Sequence, residues 1–383
     1  MTIRKMDNSK EKKNVTENNT ENNTSETADV KRWKRFFAST FSMIAILLLG
    51  AAGLVIWIDP FFHYHAPFDG ISYVLEDERY QNDGIARHFD YELLIIGTSM
   101  CENFRTSQAE ELFGMKAVKT PFAGGYFKEI SDAEGRALSY NPDIKIVIRS
   151  LDQGFAWLDK DKENEIVADA KFLYDDNYFN DLPYIFNHKV LFYYLPETIK
   201  RSMDKVPADN FDDYARFAED RPLGKDVLLA RMYHPADPEW QPPYTEEDVE
   251  LLKENINQNF MKNPADYPDV QFYYFFPPYS VASWYENYYA PCKFNKYMMT
   301  FRTMTDMLLE YDNVHIFSFF DETDITGNLD NYSDVAHYSG EVNDQMLQWM
   351  AEGSHEITKE NKDEYWDMID EIYRNYDYES MYE

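Results

Sequence analysis

From Phe36 to Ile58 the chain runs for 23 residues without a charged side chain. At a rise of 1.5 Å per residue, a helix of that length crosses roughly 30 Å of hydrocarbon. Inside lipid only a helix can satisfy every backbone polar group within one segment, so a single transmembrane helix over 36–58 is expected. Lys31, Arg32, Lys34 and Arg35 stand just before it. By the positive-inside rule, this cluster keeps the N-terminus cytoplasmic and sends the rest of the chain outside, a single-pass cell-membrane topology. A cleaved signal peptide is the alternative, with small residues at Gly50-Ala51-Ala52-Gly53. Against it, the apolar run continues through Leu54 to Ile58, beyond an ordinary signal core of roughly 7 to 15 residues, and Trp57 suits an interface. Residues 1–35 carry an Asn-, Thr- and Glu-rich tract, Asn14 to Thr24, without apolar periodicity and are expected to be a disordered cytoplasmic tail.

The charge divides at the same place. Residues 1–58 hold nine Lys and Arg against six Asp and Glu, and the remainder holds 28 against 63. So acidic a body has no basic stripe with which to displace counterions, and a nucleic-acid partner is not expected. At 44% hydrophobic and 17% aromatic, the chain is also unlike a disordered acidic protein and should bury a large core. With only Cys101 and Cys292, disulfide scaffolds and Cys-rich metal sites are excluded. Glycine-rich phosphate loops are missing, and no cofactor is expected.

Beyond the apolar helix, strand and helix alternate. Leu93 to Ile96 is a short apolar run that ends in Gly97-Thr98-Ser99, as a buried parallel strand does when it enters a loop. A helix over Thr106–Phe113, a strand over Ala117–Thr120, a helix over Tyr126–Tyr140 and a strand over Ile144–Ile148 follow. Further strands are expected over Val270–Phe276 and Val314–Phe319, with a mainly helical Tyr285–Tyr311 between them and helices around Glu341–Met350 and Glu364–Tyr376. Such order implies an α/β fold, a doubly wound parallel sheet with helices on both faces. The stretch 153–269 breaks the alternation and is too long for a crossover. It is expected as an inserted, mainly helical cap, with short helices around Val190–Met203 and Glu246–Phe260. The body thus divides into 59–152, the insert 153–269, and 270–383. Tyr174, Tyr178, Phe179, Tyr184 and Phe186 in the insert could stack on a glycan or make a satellite core.

In doubly wound folds ligands bind beyond the carboxyl ends of the strands. There stand Ser99, after the first strand, and Asp334-Val335-Ala336-His337, after the fifth. A serine hydroxyl becomes a useful nucleophile when an imidazole takes its proton, and the imidazole needs a carboxylate to fix its tautomer. An Asp three residues before a His can reach that imidazole's far nitrogen. These residues resemble the SGNH (GDSL-type) hydrolase superfamily, whose Gly-Asp-Ser block follows the first strand and whose Asp-x-x-His block lies near the C-terminus. The resemblance covers roughly Tyr91 to Met350 and implies a flavodoxin-like sheet. It implies Ser99 as nucleophile, His337 as general base and acid, and Asp334 as its orienting partner. The backbone N–H groups of Ser99 and of Gly124, in Ala123-Gly124-Gly125 after the second strand, would bind the oxyanion. The family's Gly-x-Asn-Asp block adds an Asn donor, but here Arg149-Ser150-Leu151-Asp152 has Leu151 at that place. Asn103 and Arg149 are the candidates to replace it.

The anchored layout is similar to that of the D-alanyl transfer protein of teichoic-acid modification and of membrane-tethered polysaccharide O-acetyltransferases. It implies a serine esterase or O-acyltransferase acting through a Ser99 acyl-enzyme on an acyl ester of a cell-envelope polysaccharide or other acylated polymer, with a membrane-bound acyltransferase as a possible partner. The other class is a non-catalytic surface module that binds glycan or such a partner. Cys101 is expected to pack beneath the serine loop rather than react. His63 and His65 read as interfacial surface residues, since two histidines without a third ligand are poor evidence for zinc. Asp175-Asp176-Asn177 with Asn180 and Asp181 lacks the Gly and terminal Glu of an EF-hand loop, so no metal is expected. Tyr365, Ile369, Ile372 and Tyr376 share a face on which the last helix should dock.

Overall fold

The structure, a computed structural model, describes residues 9–164, 170–217, 221–232, 244–290 and 293–382. It divides into two compact units, one up to Trp57 and one from Ile58 to Glu383. The first is a helix, α1 (Ser9–Ile58), which contains one stretch long and apolar enough to cross a membrane. Large apolar side chains such as Phe41, Ile46 and Leu49 are exposed along it, as on a helix whose solvent is lipid. The helix starts well before Phe36 and takes in the Asn- and Thr-rich tract expected to be irregular. Once a helix is nucleated by the apolar run, each added residue gains a hydrogen bond without a new nucleation penalty.

The second unit is built on a six-stranded sheet in the order β2-β1-β3-β4-β5-β6. The strands are β1 (Leu93–Gly97), β2 (Ala117–Pro121), β3 (Ile146–Ser150), β4 (Gln271–Phe276), β5 (Val314–Ser318) and β6 (Glu356–Ile357). β1 to β5 pair in parallel, and the two-residue β6 runs antiparallel on the edge of β5. Every residue of β1, β2 and β3 is buried, because helices cover both faces. Those helices include α2 (Glu78–His88), α3 (Thr106–Phe113) and α4 (Phe127–Tyr140). α5 (Leu195–Asp204) and α6 (Glu246–Ile256) come from the insert, and α7 (Phe294–Leu308), α8 (Gly340–Glu352) and α9 (Lys362–Arg374) follow it. α9 docks through Trp366, Ile369 and Tyr373, one position off the expected Tyr365 and Ile372. Trp366 stacks on Phe301 at 5.2 Å and Tyr373 on Trp284 at 4.0 Å, so the high aromatic content fills the core beside β4 and β5.

The insert between β3 and β4 has two parts. Its end packs on the body as a crossover helix does: α6 lies against α7, and the helical turns from Asn257 to Asp266 lie against α4. Its beginning divides the five aromatic residues singled out above. Tyr184 is buried and Tyr174 bonds the Arg79 carbonyl at 2.8 Å, whereas Tyr178, Phe179 and Phe186 are exposed.

Candidate active site

β1 lies between β2 and β3, where the strand order reverses, so the loop leaving its carboxyl end opens at the switch point of the sheet. Gly97 makes that exit possible. At its φ of +152°, a Cβ would sit 2.6 Å from both Cys101 Sγ and Ser150 Oγ. A single 3₁₀ turn, Ser99–Cys101, follows, with the Thr98 hydroxyl accepting from the Met100 N–H at 3.3 Å. Met100 and Cys101 point into the core while Ser99 stays half-buried.

The partner loop is closed at its base by an antiparallel bridge between Tyr332 and Tyr338. Inside it, Ser333 N–H donates to the His337 carbonyl at 2.9 Å, and Ser280 Oγ donates to the Val335 carbonyl at 2.7 Å. The Asp334 carboxylate folds back on its own loop, where Oδ1 accepts from the N–H groups of Ala336 (3.0 Å) and His337 (2.9 Å). The same carboxylate lies 2.8 and 2.9 Å from His337 Nδ1, and His337 Nε2 lies 2.8 Å from Ser99 Oγ. Residues 238 positions apart thus form one hydrogen-bonded chain from hydroxyl to imidazole to carboxylate. Burial works against the charge on Asp334, but the His337 imidazole and the two N–H groups outweigh it and hold the carboxyl at about 2. An ionised Asp334 accepts the Nδ1 proton, leaving Nε2 as the acceptor that faces Ser99.

The insert reaches this chain. The Phe217 ring meets His337 edge-on at 5.2 Å, and the Arg221 guanidinium lies over Phe217 at 4.4 Å and 4.0 Å from Asp334 Oδ2. Asn103 Oδ1 accepts the Phe217 N–H at 3.2 Å, so the Asn103 oxygen serves to seat the residue that packs on the imidazole.

The loop after β2 lies alongside, joined to the serine loop by Phe122 N–H donating to the Gly97 carbonyl at 2.8 Å. Gly124 has a φ of +61°, and its carbonyl accepts from Asn164 at 2.8 Å. Among the described residues, no acceptor is bonded to the N–H of Ser99 or of Gly124, whereas those of Ala123 and Gly125 are held by Glu78 and Phe122.

Arg149 is placed elsewhere. Its guanidinium is buried on the α4 side of β3, 3.0 Å from the Glu134 carboxylate and 4.0 Å over the Phe260 ring, so it offers nothing to an oxyanion at Ser99. Successive strand residues face opposite sides of a sheet, and Ser150, not Arg149, faces Thr98. Leu151 is fully buried with its N–H given to the Phe275 carbonyl, and supplies no side-chain donor. Cys101 is fully buried, its thiol donating to the Ile96 carbonyl, and burial pushes its pKa well up. Cys292 lies outside the described residues. His63 is not on the surface: it is 2% exposed and meets Asp181 at 3.2 Å, because the segment after Ile58 folds into the insert. His65 is half-buried. The acidic carboxylates diverge, Asp175 to Asn177 and Asn180, Asp176 to Arg87, Asp181 to His63. No group of three or more potential metal ligands forms among the described residues.

Three buried ionisable groups lie outside the candidate site residues. Asp152, buried at the end of β3, accepts from Ser150 Oγ at 2.6 Å and from the Tyr279 hydroxyl at 2.8 Å. Burial raises its pKa, against hydrogen bonds from the Ser150, Tyr279 and Thr98 hydroxyls and the nearby His337. Its position directly after a strand was the available signal. Glu102, one turn after Ser99, is pushed up to about 9 by burial and by the neighbouring Glu78, with Arg221 and Lys119 opposing. Lys119 in β2 is pushed down to about 7 by burial, its ammonium donating to the carbonyls of Glu102, Phe104 and Asp212.

No family model matches the sequence, and no curated protein is significantly similar to it. A solved structure from Streptococcus pneumonia, described as that of "a putative platelet activating factor", is similar at 15% identity, with a TM-score of 0.37, over 72% of this chain and 90% of its own.

Proposed function

We propose that this chain is a membrane-anchored serine esterase or O-acyltransferase of SGNH type, acting outside the cell on an acyl ester of a cell-envelope glycan or teichoic-acid-like polymer. The observation that carries the reading is the unbroken chain Ser99 Oγ, His337 Nε2, His337 Nδ1, Asp334. As Ser99 Oγ attacks the acyl carbonyl, its proton passes to His337 Nε2, and the imidazolium is stabilised by Asp334. The carbonyl oxygen takes the negative charge and is met by the N–H groups of Ser99 and Gly124. His337 then gives the proton to the departing alkoxide, leaving the acyl group on Ser99. Water or a sugar hydroxyl next surrenders a proton to His337 and attacks the acyl carbon, so the acyl group leaves as acid or as a new ester and Ser99 regains its proton. Phe217 and Arg221, brought by the insert, shield the imidazole and its carboxylate from solvent.

With Leu151 in place of the Asn, the oxyanion site has two backbone donors, and one missing donor costs about 2.7 to 4 kcal/mol of transition-state stabilisation. The test is hydrolysis of p-nitrophenyl acetate by the full chain in detergent, which should be slow yet measurable. It should fall further in Ser99→Ala, His337→Ala and Asp334→Ala. Equal rates in wild type and His337→Ala would favour the non-catalytic binding module, because serine acyl chemistry needs the imidazole.

A further inference from the structure

The insert carries an apolar surface that the proposed chemistry does not use. The helix from Val190 through α5 buries Tyr194, Leu195 and Thr198 on one side. On the other side Phe192, Pro196, Ile199 and Met203, at spacings of four, three and four, form a stripe open to solvent. Phe192 is 82% and Met203 78% exposed, and earlier in the same insert Phe179 is 97% and Leu182 63% exposed. A water-soluble surface helix shows one apolar face; this one shows two. Exposed apolar patches of this kind mark interaction sites.

The chain itself says what lies nearby. Ile58 ends the apolar helix, and three residues later the Phe61 ring stacks on Tyr184 at 5.2 Å and meets Tyr194 edge-on at 4.9 Å. Asp59 accepts from the Tyr184 hydroxyl at 2.6 Å, and His63 bonds Asp181. Three residues reach at most about 10 Å, so the segment bearing the stripe is tied close to the point where the chain leaves the bilayer. Charge agrees. Between 187 and 206 stand Lys189, Lys200, Arg201 and Lys205 against Glu197 and Asp204, a local cationic excess on a strongly acidic body. Lys189 and Arg201 are held by Asp77 and Asp209; Lys200, 3.9 Å from Glu197, and Lys205 are exposed beside the stripe. Apolar residues flanked by lysines suit the interface of an anionic leaflet.

We propose that the Phe192–Met203 stripe, with Phe179 and Leu182, docks on the lipid surface of the membrane that α1 crosses, giving the outer domain a second membrane contact. This rests on the anchored-topology part of the functional reading and is independent of the serine chemistry. The contact limits how the domain can turn about its tether, and so where the Ser99 site can meet polymer.

The test uses the full chain reconstituted into vesicles of 70% phosphatidylcholine and 30% phosphatidylglycerol, with the lipids dibrominated near the headgroup. Bimane is attached to Phe192→Cys, Met203→Cys or, as an aqueous control, Glu360→Cys, each in a Cys292→Ser background. The stripe positions should lose fluorescence to the brominated lipid, and Glu360→Cys should not. Fluorescence at 192 and 203 equal to the control would overturn the proposal. So would a blue-shifted label that brominated lipid does not quench, since a second copy or another protein would then cover the stripe. A carbonate wash of the same vesicles separates failure of the anchor, which releases the chain, from failure of the docking surface, which does not.

Discussion

Replacing Asp334 by Asn tests the direction in which the proton must lie along the serine–histidine–aspartate chain. The Asp334 carboxyl is held at about 2 instead of the ordinary 3.8, a preference for the charged form worth roughly 2 kcal/mol. Its depressed pKa means that this stability is fully present above about pH 4 and is lost as pH falls through about 2. An Asn there would be oriented by the loop. The N–H groups of Ala336 and His337 both point at Oδ1, so the amide oxygen stays with them and the amide NH₂ is turned toward His337 Nδ1. A donor at that place forces the imidazole proton onto Nε2, which then faces Ser99 Oγ as a donor and cannot accept its proton. Triads with this wrong tautomer lose about 10⁴ in turnover, or roughly 5 kcal/mol of barrier. The assay is turnover of p-nitrophenyl acetate together with the second-order rate of fluorophosphonate labelling, on protein whose circular dichroism matches wild type. Both should fall by that order in Asp334→Asn. Retention of more than about a tenth of either rate would refute the argument that Asp334 sets the tautomer.

Gly97→Ala should destabilise the fold by roughly 2 to 5 kcal/mol in urea unfolding and abolish Ser99 labelling, since its Cβ meets Cys101 and Ser150. Arg149→Met should cost about 3 to 5 kcal/mol by stranding the buried Glu134, while labelling per folded molecule stays at the wild-type rate; a selective loss of labelling would return Arg149 to the oxyanion site. Glu102 holds its proton up to about pH 9 when folded but releases it near its ordinary pKa when unfolded, so its burial weakens the fold progressively from about pH 5 to 9. Glu102→Gln should therefore melt increasingly above wild type across that window, and parallel melting curves would contradict it.

Much of the sheet is legible in the sequence because parallel strands covered on both faces must be apolar throughout. The Ser99 and Asp334–His337 loops are legible for a related reason, since strand ends are where such folds expose chemistry. β3 is the instructive exception. It runs to Ser150 through a charged Arg149, and a hydrophobic pattern does not anticipate that Glu134 on α4 neutralises that guanidinium inside the core. α2 is invisible to periodicity because its buried residues include Gln81, Asn82 and Asp83. These are held by backbone carbonyls and Arg136, and Gly84 lets the Phe61 and Phe62 carbonyls approach. With α2 unseen, Glu78 and its pairing with Glu102 could not be found. Residues Phe217 and Arg221 sit in an irregular stretch whose position over His337 depends on long-range contacts such as Asn103 to Phe217. The burial of His63 is illegible for a similar reason, since it depends on Asp181 more than a hundred residues away.

The most direct test of the account is intact-mass and peptide mapping of the full chain after treatment with a fluorophosphonate at neutral pH. The account predicts a single adduct on Ser99, absent in Ser99→Ala and strongly slowed in His337→Ala, because only a serine beside an oriented imidazole is activated. An adduct that persists in Ser99→Ala, or that maps to Cys101, or no adduct on the folded wild-type chain, would contradict it.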